Sequence, residues 1–208
     1  MPTPIFHITD LQNLPPIIAS KGLHSPQRLD EGALRPTSIA HPHIQDRRAA
    51  TPIFCGPGGT LHDYVPFYFA PRSPMLCAIW KRRVEGYSSS QERVIHLTTT
   101  VQNVVAAGRQ FAFSDGHAIM AFTEFYDDLA RLDQIDWPLM EAGYWADTLE
   151  DTDRSRRRQA EFLVHKWCPW TTIAAIGVMT QAIRTEVLNL LEGAEHKPVV
   201  TINRDWYY

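Results

Sequence analysis

The chain has 208 residues, 44% of them hydrophobic and 21% charged, which is an ordinary soluble composition with room for a substantial single core. A formal net charge of −3 gives no whole-molecule attraction to nucleic acid; no apolar run approaches the roughly 18 residues of a membrane span, and MPTPIFHITD lacks the basic and apolar regions of a secretory leader. Cys55, Cys77 and Cys168 are odd in number and share no metal-type spacing, so the expectation is a cytoplasmic protein with neither a disulfide frame nor a metal centre.

Residues 5–8 read as a short strand with His7 at its middle, flanked by Phe6 and Ile8 and followed by Thr9. A histidine there either bonds to backbone inside the core or faces a crevice and a ligand hydroxyl. Residues 10–21 read as a helix, with Leu11, Leu14, Ile17 and Ile18 near 3.6 spacing and Gly22 ending it. Pro15 and Pro16 fit only its first turn, so the regular part starts near Leu14. Residues 23–60 are rich in Pro, Gly, His and Arg, show little periodicity, and are predicted to be a long irregular loop. Loops of that length inside a compact domain are usually functional or partly disordered.

An aromatic strand over 65–70 runs into Pro71-Arg72-Ser73-Pro74 and then a helix over 75–83. Proline cannot continue a ladder, and Ser73-Pro74 sets a capping hydroxyl before a proline at the first helical position. Arg72 therefore sits on a tight corner, either solvated or facing a ligand crevice. Tyr68, on that strand, is either core packing or a cleft residue.

Residues 93–99 alternate as a strand, 101–107 form a short helix ending at Gly108, and 111–114 form a strand that Asp115-Gly116 turns into His117. Residues 122–132 are predicted helical and 137–145 an aromatic loop. Strands are predicted over 159–166, 173–178 and 198–202, with an amphipathic helix over 182–191 closed by Gly193. The interleaving predicts one α+β domain over residues 1–208. Within the strand QAEFLVHK, Glu161 has Ala160, Phe162, Leu163 and Val164 as neighbours. A carboxylate buried there without a partner is costly, so Glu161 is either functional or on a solvated edge. Base clusters in Arg154, Arg156, Arg157 and Arg158, and again in His41, His43, Arg47 and Arg48, each cluster a solvated face or a binding surface.

These motifs carry a family resemblance. FHITDLQNLPPIIASKGL resembles the opening of NAD-dependent ADP-ribosyltransferases and RNA 2′-phosphotransferases, YFAPRSPM their tyrosine element, and QAEF their glutamate strand. More narrowly, SIAHPHIQDRRA, LHDYVPFYFAPRSPMLCAI, SDGHA, RRRQAEFLV and RDWYY together resemble the DarT toxins, DNA ADP-ribosyltransferases of toxin–antitoxin systems. The resemblance runs in order from Pro4 to Tyr208. It implies an ADP-ribosyltransferase fold, a split mixed sheet with NAD in the cleft, and transfer of ADP-ribose to a base of single-stranded DNA with release of nicotinamide. The implied acceptor is thymidine, with guanosine or an RNA 2′-phosphate as alternatives; a macrodomain antitoxin is the implied partner, and the chain is expected to be a monomer.

Residue by residue, the resemblance puts Glu161 at the 2′-hydroxyl of the reacting ribose, where a carboxylate stabilises developing positive charge. His7 would hold the adenosine-side ribose, Tyr68 would flank the nicotinamide, Arg72 would face the diphosphate and Met75 would pack on the nucleotide, with Ile8, Thr9 and Phe69 on the same side. Arg48 would act on the acceptor base, polarising its carbonyl rather than taking a proton, because its own pKa exceeds about 12. His117 is the second acceptor-side candidate. His41, His43, Arg47, Arg154, Arg156, Arg157 and Arg158 would meet the DNA, under a substrate-covering segment 23–60.

Overall fold

A computed structural model of the chain describes residues 2–32 and 36–208. Its frame is one eight-stranded sheet. In chain order these strands are β1 (Pro4–Asp10), then, after a small strand β2 (Gly22–His24), β3 (Tyr64–Tyr68), β4 (Val94–Thr100), β5 (Phe111–His117), β6 (Phe125–Tyr126) and β7 (Ala160–His165). A second small strand, β8 (Trp167–Pro169), precedes β9 (Ala175–Val178) and β10 (Val199–Ile202). The large sheet has the order β10-β9-β4-β1-β3-β7-β5-β6, while β2 and β8 form a separate pair. Only β9 and β10 run parallel, so the sheet is mixed.

The sheet splits between β1 and β3. β1 pairs with β4 along its whole length, from Pro4↔Thr100 to Asp10↔Val94, yet meets β3 at the single register point Phe6↔Tyr68. On the far side, β3 and β7 are paired continuously from Tyr64↔His165 to Tyr68↔Glu161. Alternation then sorts the faces. Val65, Phe67, Phe162 and Val164 enter the main core, which puts Tyr68 and Glu161 together on the other face, beside the split.

Eight helices are described: α1 (Leu14–Ala19), α2 (Pro26–Glu31), α3 (Pro42–Ala50), α4 (Pro74–Trp80), α5 (Val101–Ala106), α6 (Trp137–Glu141), α7 (Arg154–Arg157) and α8 (Gln181–Leu190). The corner after β3 forms as its sequence requires: Ser73 Oγ accepts from the Leu76 amide at 3.1 Å, with Pro74 opening α4. The helix expected over 10–21 begins as a 3₁₀ turn, Leu11–Asn13, before the prolines start α1.

Three expectations are corrected. Residues 23–60 are not one irregular loop, since they contain β2, α2 and α3; residues 33–35 of that segment lie outside the described residues. Ser25 caps α2 and Pro26 opens it. α3 escaped recognition because, among its described side chains, the one buried is Arg48, so no apolar stripe marks its inner face. Residues 122–132 are not a helix: Phe125–Tyr126 extends the sheet edge against Phe113 and Ser114, and Leu129–Gln134 is a 3₁₀ turn. The aromatic loop instead opens with α6, because Asp136 Oδ1 accepts from the Leu139 amide at 3.0 Å.

No helix among the described residues is long and apolar enough to cross a membrane. Nor does any group of His, Cys, Asp and Glu among them form a metal cluster.

Candidate active site

A cavity of ≈ 550 Å³ occupies the split, bounded by β1, the β3–β7 face, α1, α3 and the segment 36–40. That volume suits a nucleotide-sized ligand. His7, Ile8, Thr9, Arg48, Tyr68, Met75, His117 and Glu161 all line it, so residues from five separate stretches of chain converge on one space.

At its floor Arg48 and Glu161 form a buried ion pair. Arg48 Nη1 donates to Glu161 Oε1 at 3.1 Å and Oε2 at 2.9 Å. The residues are 6% and 2% exposed, so each charge needs the other. Arg48 Nη2 is buried and has no hydrogen-bond partner among the described residues. A buried guanidinium N–H without an acceptor is costly, and Arg48 is one of the residues that line this ligand-sized cavity. The orphaned donor therefore fits an oxygen of a bound ligand.

Glu161 is further fixed through its main chain. Its amide donates to Ser114 Oγ at 3.1 Å, and that hydroxyl donates to the Gly116 carbonyl at 2.7 Å. The β5–β7 register shifts between Phe113 and His117, which delivers His117 opposite Ala160 and onto the cavity wall. Burial holds the His117 imidazole below its ordinary pKa; Glu161 opposes that shift, and Arg48 and Arg47 reinforce it. Tyr68, across from Glu161 in the ladder, has its phenol pushed up by burial and then by the Glu161 charge, with Arg48 opposing.

His7 meets the cavity as an acceptor. Its Nδ1 lies 2.8 Å from the Pro66 carbonyl, which can only accept, so Nδ1 carries the proton and Nε2 keeps its lone pair. Burial also lowers its pKa, partly offset by that carbonyl. A neutral ring fixed in this tautomer is suited to receive a ligand hydroxyl.

Other expected residues fall elsewhere. Phe69 is in the main core, edge-on to Trp137 with ring centroids 5.6 Å apart. Arg72 is on the corner, but its Nε and Nη2 donate to the Tyr207 carbonyl at 2.9 and 2.6 Å and its head lies 5.3 Å from the Tyr208 ring centroid. His41 and His43 sit at the start of α3, their rings 5.3 Å apart, and Arg47 Nη2 donates to the Ile119 carbonyl at 3.0 Å.

The arginine run is a set of loop anchors. Arg154 donates to the Tyr144 and Ala146 carbonyls. Arg156 binds Asp153 and Asp115, while Arg157 binds Asp136 and Asp151. Arg158, 3% exposed, donates to the carbonyls of Leu139, Met140, Ala142 and Arg72. A phosphate contact by any of these heads would exchange an existing partner.

Sequence reading passed over Gln12 and Asn13, which line the cavity beside the segment 36–40, itself part of the segment expected to cover the substrate. Asn13 gave no signal because a polar residue beside two prolines looks like ordinary helix-start chemistry.

A split mixed sheet that presents a carboxylate from a central strand into a nucleotide-sized cleft defines the ADP-ribosyltransferase fold class. The chain belongs to the DarT family: the family model described as "ssDNA thymidine ADP-ribosyltransferase, DarT" matches residues 6–208. A DNA ADP-ribosyl transferase of Thermus sp. (strain 2.9) is 43% identical over 209 residues, covering 100% of this chain and 97% of the relative. The structure of Thermus sp. 2.9 DarT in complex with ADP-ribosylated ssDNA superposes with a TM-score of 0.91 at 42% identity, covering 100% of this chain and 97% of that one. Its complex with NAD+ gives a TM-score of 0.87 at 40% identity, covering 100% and 98%.

Proposed function

We propose that this protein transfers ADP-ribose from NAD to a base of single-stranded DNA, with thymidine as acceptor. The observation that carries the reading is the Arg48–Glu161 pair at the cavity floor, with one Arg48 nitrogen left for a ligand oxygen. In the reaction the bond from the ribose C1′ to the nicotinamide nitrogen breaks and neutral nicotinamide leaves. A bond from C1′ to a base nitrogen forms, and that nitrogen gives up its proton.

Glu161 is placed to bind the 2′-hydroxyl of the reacting ribose and to stabilise positive charge as it develops there. Tyr68, on the adjoining strand, would pack on the nicotinamide, and His7 Nε2 would accept from the distal ribose. The free Arg48 N–H would donate to a carbonyl of the acceptor base, favouring the base anion. His117, with its pKa lowered, offers a neutral imidazole on the same wall as a proton acceptor. An unpaired base enters such a pocket at low unstacking cost, which accounts for a single-stranded substrate.

The Thermus relatives support this reading through the ligands named in their complexes, ADP-ribosylated ssDNA and NAD+. In the cell the activity fits a cytoplasmic toxin restrained by a macrodomain antitoxin that removes the modification. Mass spectrometry of an oligonucleotide panel incubated with NAD tests the proposal. A single ADP-ribose adduct on thymidine-containing strands, with stoichiometric nicotinamide, is expected; adducts confined to guanosine would overturn the acceptor, and a cyclic phosphate product would overturn the reaction.

A further inference from the structure

We infer that Asn13 is a positioning residue for the NAD site, aiming the Thr9 hydroxyl into the cavity and fixing the segment 36–40 along its wall. The inference rests on the functional reading above and adds a residue to it.

Asn13 closes the 3₁₀ turn between β1 and α1 and is 5% exposed. Its amide makes three hydrogen bonds at once. Nδ2 donates to Thr9 Oγ1 at 2.9 Å and to the Thr37 carbonyl at 2.8 Å, while Oδ1 accepts from the Thr37 amide at 2.8 Å. The reverse placement of the amide oxygen and nitrogen would set acceptor against acceptor at the carbonyl and donor against donor at the amide, so the orientation is determined.

Two consequences follow from the donor and acceptor inventory. First, an amide nitrogen cannot accept, so the Thr9 oxygen is the acceptor and its own proton must go elsewhere. Among the described residues nothing takes that proton, and Thr9 lines the cavity. The hydroxyl is thus held as a donor toward whatever oxygen or ring nitrogen a ligand presents. Second, one side chain satisfies both main-chain groups of Thr37. Thr37 Oγ1 adds a bond to Gln12 Oε1 at 3.3 Å, and Ile39 is packed with Ile8, Leu76 and Tyr207. The segment 36–40 and Thr9 therefore share one reference point, and both line the cavity.

Asn13→Asp is the informative change. It keeps the acceptor for the Thr37 amide but puts an oxygen where Nδ2 donated. The Thr9 hydroxyl then turns to donate to that carboxylate and is withdrawn from the ligand. Thr9→Val removes the same donor directly, and Thr9→Ser retains it.

Titration of each variant with NAD by calorimetry, in the absence of DNA, tests the inference. Asn13→Asp and Thr9→Val should each weaken NAD binding roughly 5–10-fold, as for one lost hydrogen bond. The double variant should be no weaker than Asn13→Asp alone, because both changes remove one donor. Thr9→Ser should bind within about twofold of wild type. In steady-state nicotinamide release, the KM for NAD of Asn13→Asp should rise by more than its kcat falls. Should Asn13→Asp lower the thermal midpoint sharply, Asn13→Ala measured well below its own midpoint removes the anchor of Thr9 and of the segment 36–40 and should still weaken NAD binding. Additive losses, or unaltered NAD affinity in folded Asn13 variants, would overturn the role of Asn13 while leaving the reaction in place. Wild-type protein that fails to bind NAD at all would overturn both.

Discussion

A single nitrogen of Arg48 bridges both carboxylate oxygens of Glu161, at 3.1 and 2.9 Å, across 113 positions of sequence. The pair ties α3, which covers the cavity, to β7, which forms its floor. It also joins the two proposed halves of the reaction, since one partner is proposed to act on the donor ribose and the other on the acceptor base. The ion pair offsets the cost of placing a carboxylate among Phe162, Leu163 and Val164, all fully buried.

Breaking that pair from one side should destabilise the fold. Arg48→Ala leaves an uncompensated buried carboxylate, and its expected cost is up to about 3–5 kcal/mol. Adding Glu161→Gln removes the stranded charge, so the double variant should recover part of the loss. Urea unfolding of the two single variants and the double variant measures the coupling. Strictly additive effects would mean that water or a neighbouring group already satisfies Glu161.

His96 should make stability fall in mild acid. Its ring is buried, with Nε2 3.0 Å from the Pro71 carbonyl and Nδ1 3.2 Å from the Tyr207 hydroxyl. Burial lowers its pKa from 6.5 to about 4. The sign follows from proton binding: below pH 6.5 the unfolded chain takes a proton that the folded chain refuses. Stability is therefore complete above about 6.5 and drains away as pH falls toward about 4. The full loss is on the order of 3 kcal/mol, at 1.36 kcal/mol per unit. His7 and His117, also lowered by burial, act in the same direction. His96→Gln keeps a donor for Pro71 and cannot titrate, so its urea midpoint should vary less between pH 7.5 and 4.5; equal slopes would acquit His96.

Much of the candidate site was legible in the sequence because the residues that line it sit on regular elements. His7, Tyr68 and Glu161 lie on strands whose apolar neighbours mark the period, and the Ser73-Pro74 cap marks the corner without ambiguity. What stayed hidden was contact between distant segments. Glu161 looked costly to bury, but nothing local named Arg48 as its partner. α3 carries a polar inward face, so the apolar pattern that betrays helices is missing. Arg72 sits on the expected corner, yet its guanidinium is taken by Tyr207, a residue 135 positions away. The four arginines before β7 stayed open between a solvated face and a binding surface because their distant partners, Asp115, Asp136 and the carbonyls that hold Arg154 and Arg158, are assembled only by folding.

Those arginines give a direct contest between structure and charge. Arg158→Ala would strand the carbonyls of Met140 and Arg72, at an expected cost of about 1–3 kcal/mol in unfolding free energy. If Arg156 and Arg157 serve only as loop anchors, reversing both to glutamate should lower stability and leave the salt dependence of oligonucleotide binding unaltered. A flatter salt slope in folded double variant would instead show that their phosphate contacts release counterions.

The final prediction separates donor from acceptor chemistry. Glu161→Gln keeps the shape of the carboxylate and removes its charge, so NAD affinity should change little while nicotinamide release falls about 10²–10³-fold. Arg48→Ala should behave differently. Its free N–H is proposed to act on the DNA base, and water needs no such help, so ADP-ribosylation of DNA should fall further than NAD hydrolysis. Some hydrolysis will also be lost, because Arg48 holds both oxygens of Glu161. The ratio of DNA adduct to nicotinamide released is therefore the quantity to measure, by running mass spectrometry of the oligonucleotide beside a nicotinamide assay on the same reaction. In Glu161→Gln that ratio should stay near the wild-type value, as both activities share one cleavage step. In Arg48→Ala it should drop at least about tenfold, the effect of losing a single hydrogen bond from a charged donor. An unchanged ratio in Arg48→Ala, with NAD affinity intact, would assign this arginine to the cleavage step alone and leave His117 as the residue to test on the acceptor side.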